Sequence, residues 1–209
     1  MLPPPHWFMP LDATIQLLTG IVALAVALYA YRGYRWVQEG SLLRIFVAFL
    51  LLALAFIISG VVMSFAQVQH MSFEEAAGFG ALTQAGFALY YALSIAAYGV
   101  LIYTYWRRLG WFAAAPMGPL VLFNSPPLEL IVILLLGLII SAQIWPERGR
   151  SWRSRGVVTV SFILVLISHL LILFESGSND YLLYLLARGL QMFGFALMVV
   201  FLYRVGRVA

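Results

Sequence analysis

Eleven of the twelve arginines in this chain stand in four clusters, separated by apolar runs of about the length a membrane helix needs. The clusters are Arg32, Arg35 and Arg44; Arg107 and Arg108; Arg148, Arg150, Arg153 and Arg155; and Arg204 with Arg207. A hydrocarbon core about 30 Å thick takes roughly 20 apolar residues per helix. Lipid offers the backbone no hydrogen-bond partners, so runs of this kind must fold as helices packed side by side. Composition agrees, with 64% hydrophobic and 10% charged residues and a mean hydropathy of +0.98, where soluble domains carry about 25% charge. The expectation is an all-α, multi-pass integral protein of the cell (plasma) membrane, forming one domain over 1–209.

Apolar runs predict seven transmembrane helices: Ala13 to Tyr31, Leu42 to Ala66, Phe79 to Trp106, Trp111 to Phe123, Leu128 to Trp145, Val157 to Phe174 and Tyr181 to Tyr203. The fourth is short and carries Pro116 and Pro119. Charge parity nevertheless requires it. The cluster at Arg107 and the cluster at Arg148 can share the cytoplasmic side only if two crossings lie between them. The N-terminus is then outside and the C-terminus cytoplasmic. The leading "MLPPPHWFMPLD" lacks a basic region and a small-residue cleavage site, so the first run is expected to stay as a span. Most acids, Asp12, Glu129 and Glu175 among them, fall on the outer side. The arginine excess reflects orientation and contact with lipid headgroups, not nucleic-acid binding.

The chain also echoes itself. An offset of 113 lays Arg35 on Arg148, Ser41 on Ser154 and Phe49 on Phe162; an offset of 97 lays Trp106 on Tyr203 and Arg107 on Arg204. The expected architecture is therefore a 3+1+3 parallel repeat: repeat 1 over about 13–109, a linker helix over about 111–124, and repeat 2 over about 127–206.

Polar residues inside the spans mark the candidate site. On the third span Gln84, Tyr91, Ser94 and Tyr98 share one helical face, and on the seventh Tyr181, Tyr184, Arg188 and Gln191 do the same. The offset of 97 superimposes the two stripes, placing Tyr91 on Arg188 and Ser94 on Gln191. Both are expected to face a shared interior. Arg188 lies about two turns below the outer end of its helix, where a charge needs a partner; Glu175 is the acid expected to supply it. His169 sits inside the sixth span, and its repeat mate is Phe56. Polar groups so placed act either as interhelical glue or as a ligand pathway.

Other chemistry is thin. His6, His70 and His169, with Met9, Met63 and Met71, gather toward the outer side and form a weak metal-site candidate without ligand spacing. No cysteine is present, which excludes disulfides and thiolate ligands. Neither a metal-hydrolase motif, a nucleophile elbow nor a phosphate loop occurs, so the chain is read as a non-enzyme without a cofactor. The 3+1+3 order with an external N-terminus resembles, in topology alone, both the SWEET sugar transporters with their PQ-loop relatives and the microbial rhodopsins. The first family carries repeat-helix prolines that these spans lack. The second holds retinal on a lysine, and this chain has none. Neither function is carried over.

Three functions follow as expectations. The first is a non-enzymatic subunit packing against other membrane proteins, or against a second copy, in a larger complex. The second is a small-solute transporter or ligand-binding bundle using the paired stripes. The third is a haem- or metal-bearing electron-transfer subunit using His169.

Overall fold

The computed structural model describes residues 7–70, 76–106, 125–144, 152–178 and 180–208. These form six helices: α1 (Phe8–Val37), α2 (Gly40–His70), α3 (Ala76–Trp106), α4 (Ser125–Ile144), α5 (Trp152–Ser178) and α6 (Tyr181–Val208). No strand occurs among the described residues. Five of the helices contain stretches long and apolar enough to cross a membrane: Phe8–Val37, Gly40–Phe65, Gln84–Tyr105, Gly156–Glu175 and Tyr181–Arg204. The apolar part of α4, Leu128–Ile144, is shorter. The helix expected over 111–124 lies outside the described residues, so the described helices number six where seven spans are expected.

Local chemistry sets two of the turns. Gln38 ends α1 in the left-handed conformation (φ 55°), and its N–H donates to the Tyr34 carbonyl at 2.7 Å, which closes the last turn. Asp180 begins α6, its Oδ1 accepting the backbone N–H groups of Leu182 (3.0 Å) and Leu183 (3.3 Å).

Among the described residues each helix packs on its chain neighbours and α6 returns to α1, giving a closed ring in chain order. Paired contacts give the directions. Ala13 and Leu17 meet Gly60 while Tyr31 meets Phe46, so α1 and α2 are antiparallel. Val62 meets Gly86 while Arg44 meets Tyr103, so α2 and α3 are too. The pairs Glu129 with His169 and Gln143 with Thr159 set α4 against α5, and His169 with Gln191 and Ser161 with Gly194 set α5 against α6. Phe8 with Tyr181 and Tyr29 with Tyr203 make α1 and α6 parallel. Hence α1, α3, α4 and α6 all start at one end, here called the upper, and α2 and α5 finish there.

Small residues permit close approach, as expected where lipid supplies no hydrophobic drive. A Cβ on Gly60 would stand 3.2 Å from the Ala13 carbonyl oxygen, and one on Gly194 2.9 Å from that of Ser161. The middle of the ring is filled by rings in edge-on contact: Phe49 with Phe195 (5.8 Å), Phe56 with Phe195 (5.9 Å) and Phe56 with Tyr90 (5.5 Å).

Candidate functional site

Above that aromatic layer, five helices direct polar side chains inward. One turn of α1 separates Asp12 from Gln16, and Gln16 Nε2 donates to Asp12 Oδ2 at 2.8 Å. At the start of α4, Glu129 is 3% exposed. Its Oε1 accepts the Tyr91 hydroxyl of α3 at 2.8 Å, and its Oε2 stands 2.7 Å from His169 Nδ1 on α5. The opposite ring nitrogen of His169 is 3.0 Å from Gln191 Nε2 on α6. Gln191 Oε1 accepts from Arg188 Nη1 at 3.1 Å, and the same nitrogen donates to the Tyr90 hydroxyl at 3.2 Å. Arg188 Nε donates to Tyr184 OH at 3.0 Å, and Tyr184 OH donates onward to Asp12 Oδ2 at 3.4 Å. One string of polar contacts thus runs Tyr91, Glu129, His169, Gln191, Arg188, Tyr184, Asp12, Gln16.

The donors and acceptors along the string determine one another. A guanidinium has hydrogens and no acceptor, so Gln191 must turn its carbonyl oxygen toward Arg188. Its NH₂ then faces His169 Nε2, which must accept. That contact suits a ring that accepts at Nε2 and donates from Nδ1 to the Glu129 carboxylate. Arg188 thereby favours one tautomer of a histidine it does not touch.

The guanidinium shares the string with two carboxyl groups, Asp12 and Glu129. Asp12 Oδ1 lies 4.0 Å from Arg188 Nε, too long for a hydrogen bond, and is buried without a partner among the described residues, as are Gln16 Oε1 and Ser94 Oγ. Such groups are costly in a low-dielectric interior, and they leave the site able to accept further hydrogens. The layer is covered at the upper end by Phe8, whose ring contacts Tyr181 (4.8 Å) and Tyr184 (5.5 Å). Below, the layer of Phe49, Phe56 and Phe195 closes it.

The expected site residues are distributed as follows. Tyr91, His169, Tyr184, Arg188 and Gln191 are joined in the string; Ser94 and Tyr98 are buried, the Tyr98 ring edge-on to His169 at 6.3 Å. Gln84 is exposed and belongs to the upper periphery of α3 instead of the interior. Asp12 Oδ1 stands 4.0 Å from Arg188 Nε, and Glu175, the acid expected there, is part-buried at the far end of the apolar stretch of α5 and also feels the charge of Arg188. Sequence reasoning missed Tyr90, Gln16, Asp12 and Glu129, the two acids because they stand at helix starts and read as outer-face charges. A signal existed, since the offset of 113 lays Glu129 on Gln16.

His6, Met71 and the His70 side chain lie outside the described residues. Among the described residues no group of three or more histidines and acids is placed to hold a metal ion. Both His169 ring nitrogens are engaged, which leaves neither free as an axial haem ligand. At the lower end Tyr31, Arg32, Arg35 and Trp36 line a surface pocket of about 510 Å³, with the Arg32 guanidinium over the Trp36 ring at 5.8 Å, a composition suited to anionic headgroups. No family model, curated protein or solved structure matches this chain.

Proposed function

We propose that this chain is a multi-pass carrier of a small polar solute in the plasma membrane, built from two three-helix repeats with the buried polar string as its working site. The observation that carries the reading is the position of the string. Asp12, Gln16, Tyr90 and Tyr91 come from α1 and α3, whereas Glu129, His169, Arg188 and Gln191 come from α4, α5 and α6. The polar site thus lies where two helix triplets meet, as carriers with internal repeats place theirs. Ionisable groups in spans are expensive to keep, and a line of them marks a substrate or proton pathway.

Three features support the finer architecture. α3 ends at the lower end and α4 begins at the upper, as a further crossing between them requires. Burial recurs at the offsets of the sequence echo: Ala48, Phe49, Leu52 and Phe56 of α2 correspond to Ser161, Phe162, Val165 and His169 of α5, and Tyr91, Ser94, Tyr98 and Leu101 of α3 to Arg188, Gln191, Phe195 and Met198 of α6. Arg32, Arg35, Arg44 and Arg204 share the lower end, which the positive-inside rule assigns to the cytoplasm.

The test is counterflow in proteoliposomes with labelled amino acids, hexoses and alkylamines. Uptake of one class above that of protein-free vesicles is expected, lost in Arg188→Lys and Gln191→Leu while the unfolding temperature stays near that of the unmodified protein. No uptake of any class overturns the reading. A second reading is favoured by the near-complete pairing within the string, which also suits a helix-packing device. It is a non-enzymatic subunit that associates with partner membrane proteins or with a second copy. Mild detergent extraction followed by mass spectrometry decides it: a stoichiometric partner supports the subunit, a free monomer the carrier.

A further inference from the structure

We propose that His169 with Glu129 forms a proton-binding site, and that Gln191 couples its occupancy to Arg188, which passes from Gln191 to Asp12 when the proton binds. The proposal names a proton as one ligand of the site described above and rests on the carrier reading only for what the coupling serves.

A proton added to His169 Nε2 leaves an imidazolium beside the Glu129 carboxylate, whose Oε2 stands 2.7 Å from Nδ1. No covalent bond other than the new N–H is made, and the proton comes from water. The gain has a structural consequence. Nε2–H is now a donor, and the Gln191 NH₂ that faced it at 3.0 Å no longer fits. Rotation of the Gln191 amide by half a turn supplies the carbonyl oxygen to His169, but it then presents NH₂ to Arg188 Nη1, where Oε1 had accepted at 3.1 Å. Two donors cannot share that contact.

Arg188 therefore has to leave Gln191, and one acceptor within reach is vacant. Asp12 Oδ1 is buried, without a hydrogen-bond partner among the described residues, and 4.0 Å from Arg188 Nε. A shift of about 1 Å would bring it within hydrogen-bond range. The guanidinium then closes an ion pair between α6 and α1, across the proposed seam between the repeats. The groups facing His169 are consistent with this sequence. Glu129 comes from α4, Tyr91 and Tyr98 from α3, and Arg188 through Gln191 from α6; Glu175 stands farther along α5 itself. Among these, Gln191 is the group that contacts both His169 and Arg188 and can reverse its donor and acceptor ends.

The experiment is nitrogen NMR of histidine- and arginine-labelled full-length protein in lipid nanodiscs, with His169→Gln and Arg188→Lys used to assign the signals. At neutral pH His169 is expected to carry one ring proton, on Nδ1. Acidification is expected to add the second proton and to move the Arg188 Nε signal with the same midpoint. In Gln191→Glu, which accepts at both ends and needs no rotation, His169 is expected to carry both ring protons at neutral pH while the Arg188 signal stays constant on acidification. A doubly protonated His169 in the unmodified protein at neutral pH overturns the proposal. So does an Arg188 signal that moves independently of His169, or a His169 that gains no second proton before the protein unfolds. Should Gln191→Glu fail to fold, the titration of the unmodified protein decides alone. Coupled titration without solute uptake sinks the carrier reading and keeps the switch; uptake with uncoupled signals does the reverse.

Discussion

The helix triplets α1–α3 and α4–α6, which the proposed repeat lays on one another, bury residues at corresponding positions but place different chemistry there. Where α2 places Phe56, α5 places His169; where α1 places Gln16, α4 places Glu129; where α3 places Tyr91 and Ser94, α6 places Arg188 and Gln191. The α1–α3 triplet contributes mainly neutral hydrogen-bonding groups and a single buried acid, Asp12, one turn above Gln16. The α4–α6 triplet holds the histidine, the arginine and the second acid. On the proposed repeat, the second triplet keeps the inward positions of the first and changes the side-chain chemistry that stands there. Packing constrains which positions face inward, while the demands of the site decide what stands there.

Substitutions that push the triplets together or apart test this contrast. Removing the charge with Arg188→Leu leaves Asp12 and Glu129 buried without a cation, and should cost about 3–5 kcal/mol, read as a fall in the thermal unfolding midpoint. Adding Asp12→Asn should recover a large part of that loss; no recovery would mean the carboxylate is not what the arginine balances.

Next in size is a transplant of the α1 and α2 chemistry into α4 and α5. His169→Phe alone leaves the Glu129 carboxylate with Tyr91 as its hydrogen-bond donor among the described residues, and should cost about 2 kcal/mol. The double variant His169→Phe with Glu129→Gln copies the Gln16 and Phe56 pair and should be markedly more stable than the single variant, yet inactive in uptake. A double variant as unstable as the single one breaks the equivalence of the two triplets.

A smaller effect probes packing without charge. Gly194 occupies the α6 position that corresponds to Ala97 of α3. Because its Cβ would stand 2.9 Å from the Ser161 carbonyl oxygen, Gly194→Val should cost about 1–3 kcal/mol. Smallest is Tyr90→Phe, which removes one hydroxyl from Arg188 and should cost about 0.6 kcal/mol, typical of interhelical hydrogen bonds in membranes. A loss several times larger would show that Tyr90 holds the guanidinium in place, not merely touches it.

Legibility differed by element. The long helices were readable because each must satisfy its backbone internally, so an apolar run between charges has few alternatives. The inward faces of α3 and α6 were readable at Tyr91, Ser94, Arg188 and Gln191, since helical periodicity places them together. Gln84 followed the same periodicity and stands exposed, because a stripe continues past the depth at which neighbours cover it. Tyr90 escaped notice as an aromatic among aromatics, separated from packing residues by nothing but its partner.

The sequence by itself determined that the chain is helical and membrane-spanning in kind, because apolar length and backbone hydrogen bonding are local requirements that each segment meets alone. Only the tertiary structure decided which charges meet. Asp12 and Arg188 are 176 positions apart, and Glu129 and His169 are 40 apart. A pairing across such separations depends on helix direction, ring closure and rotation about each helix axis, and no local pattern encodes those. The direction of the hydrogens along the string emerged last of all, once a guanidinium without acceptors stood beside Gln191.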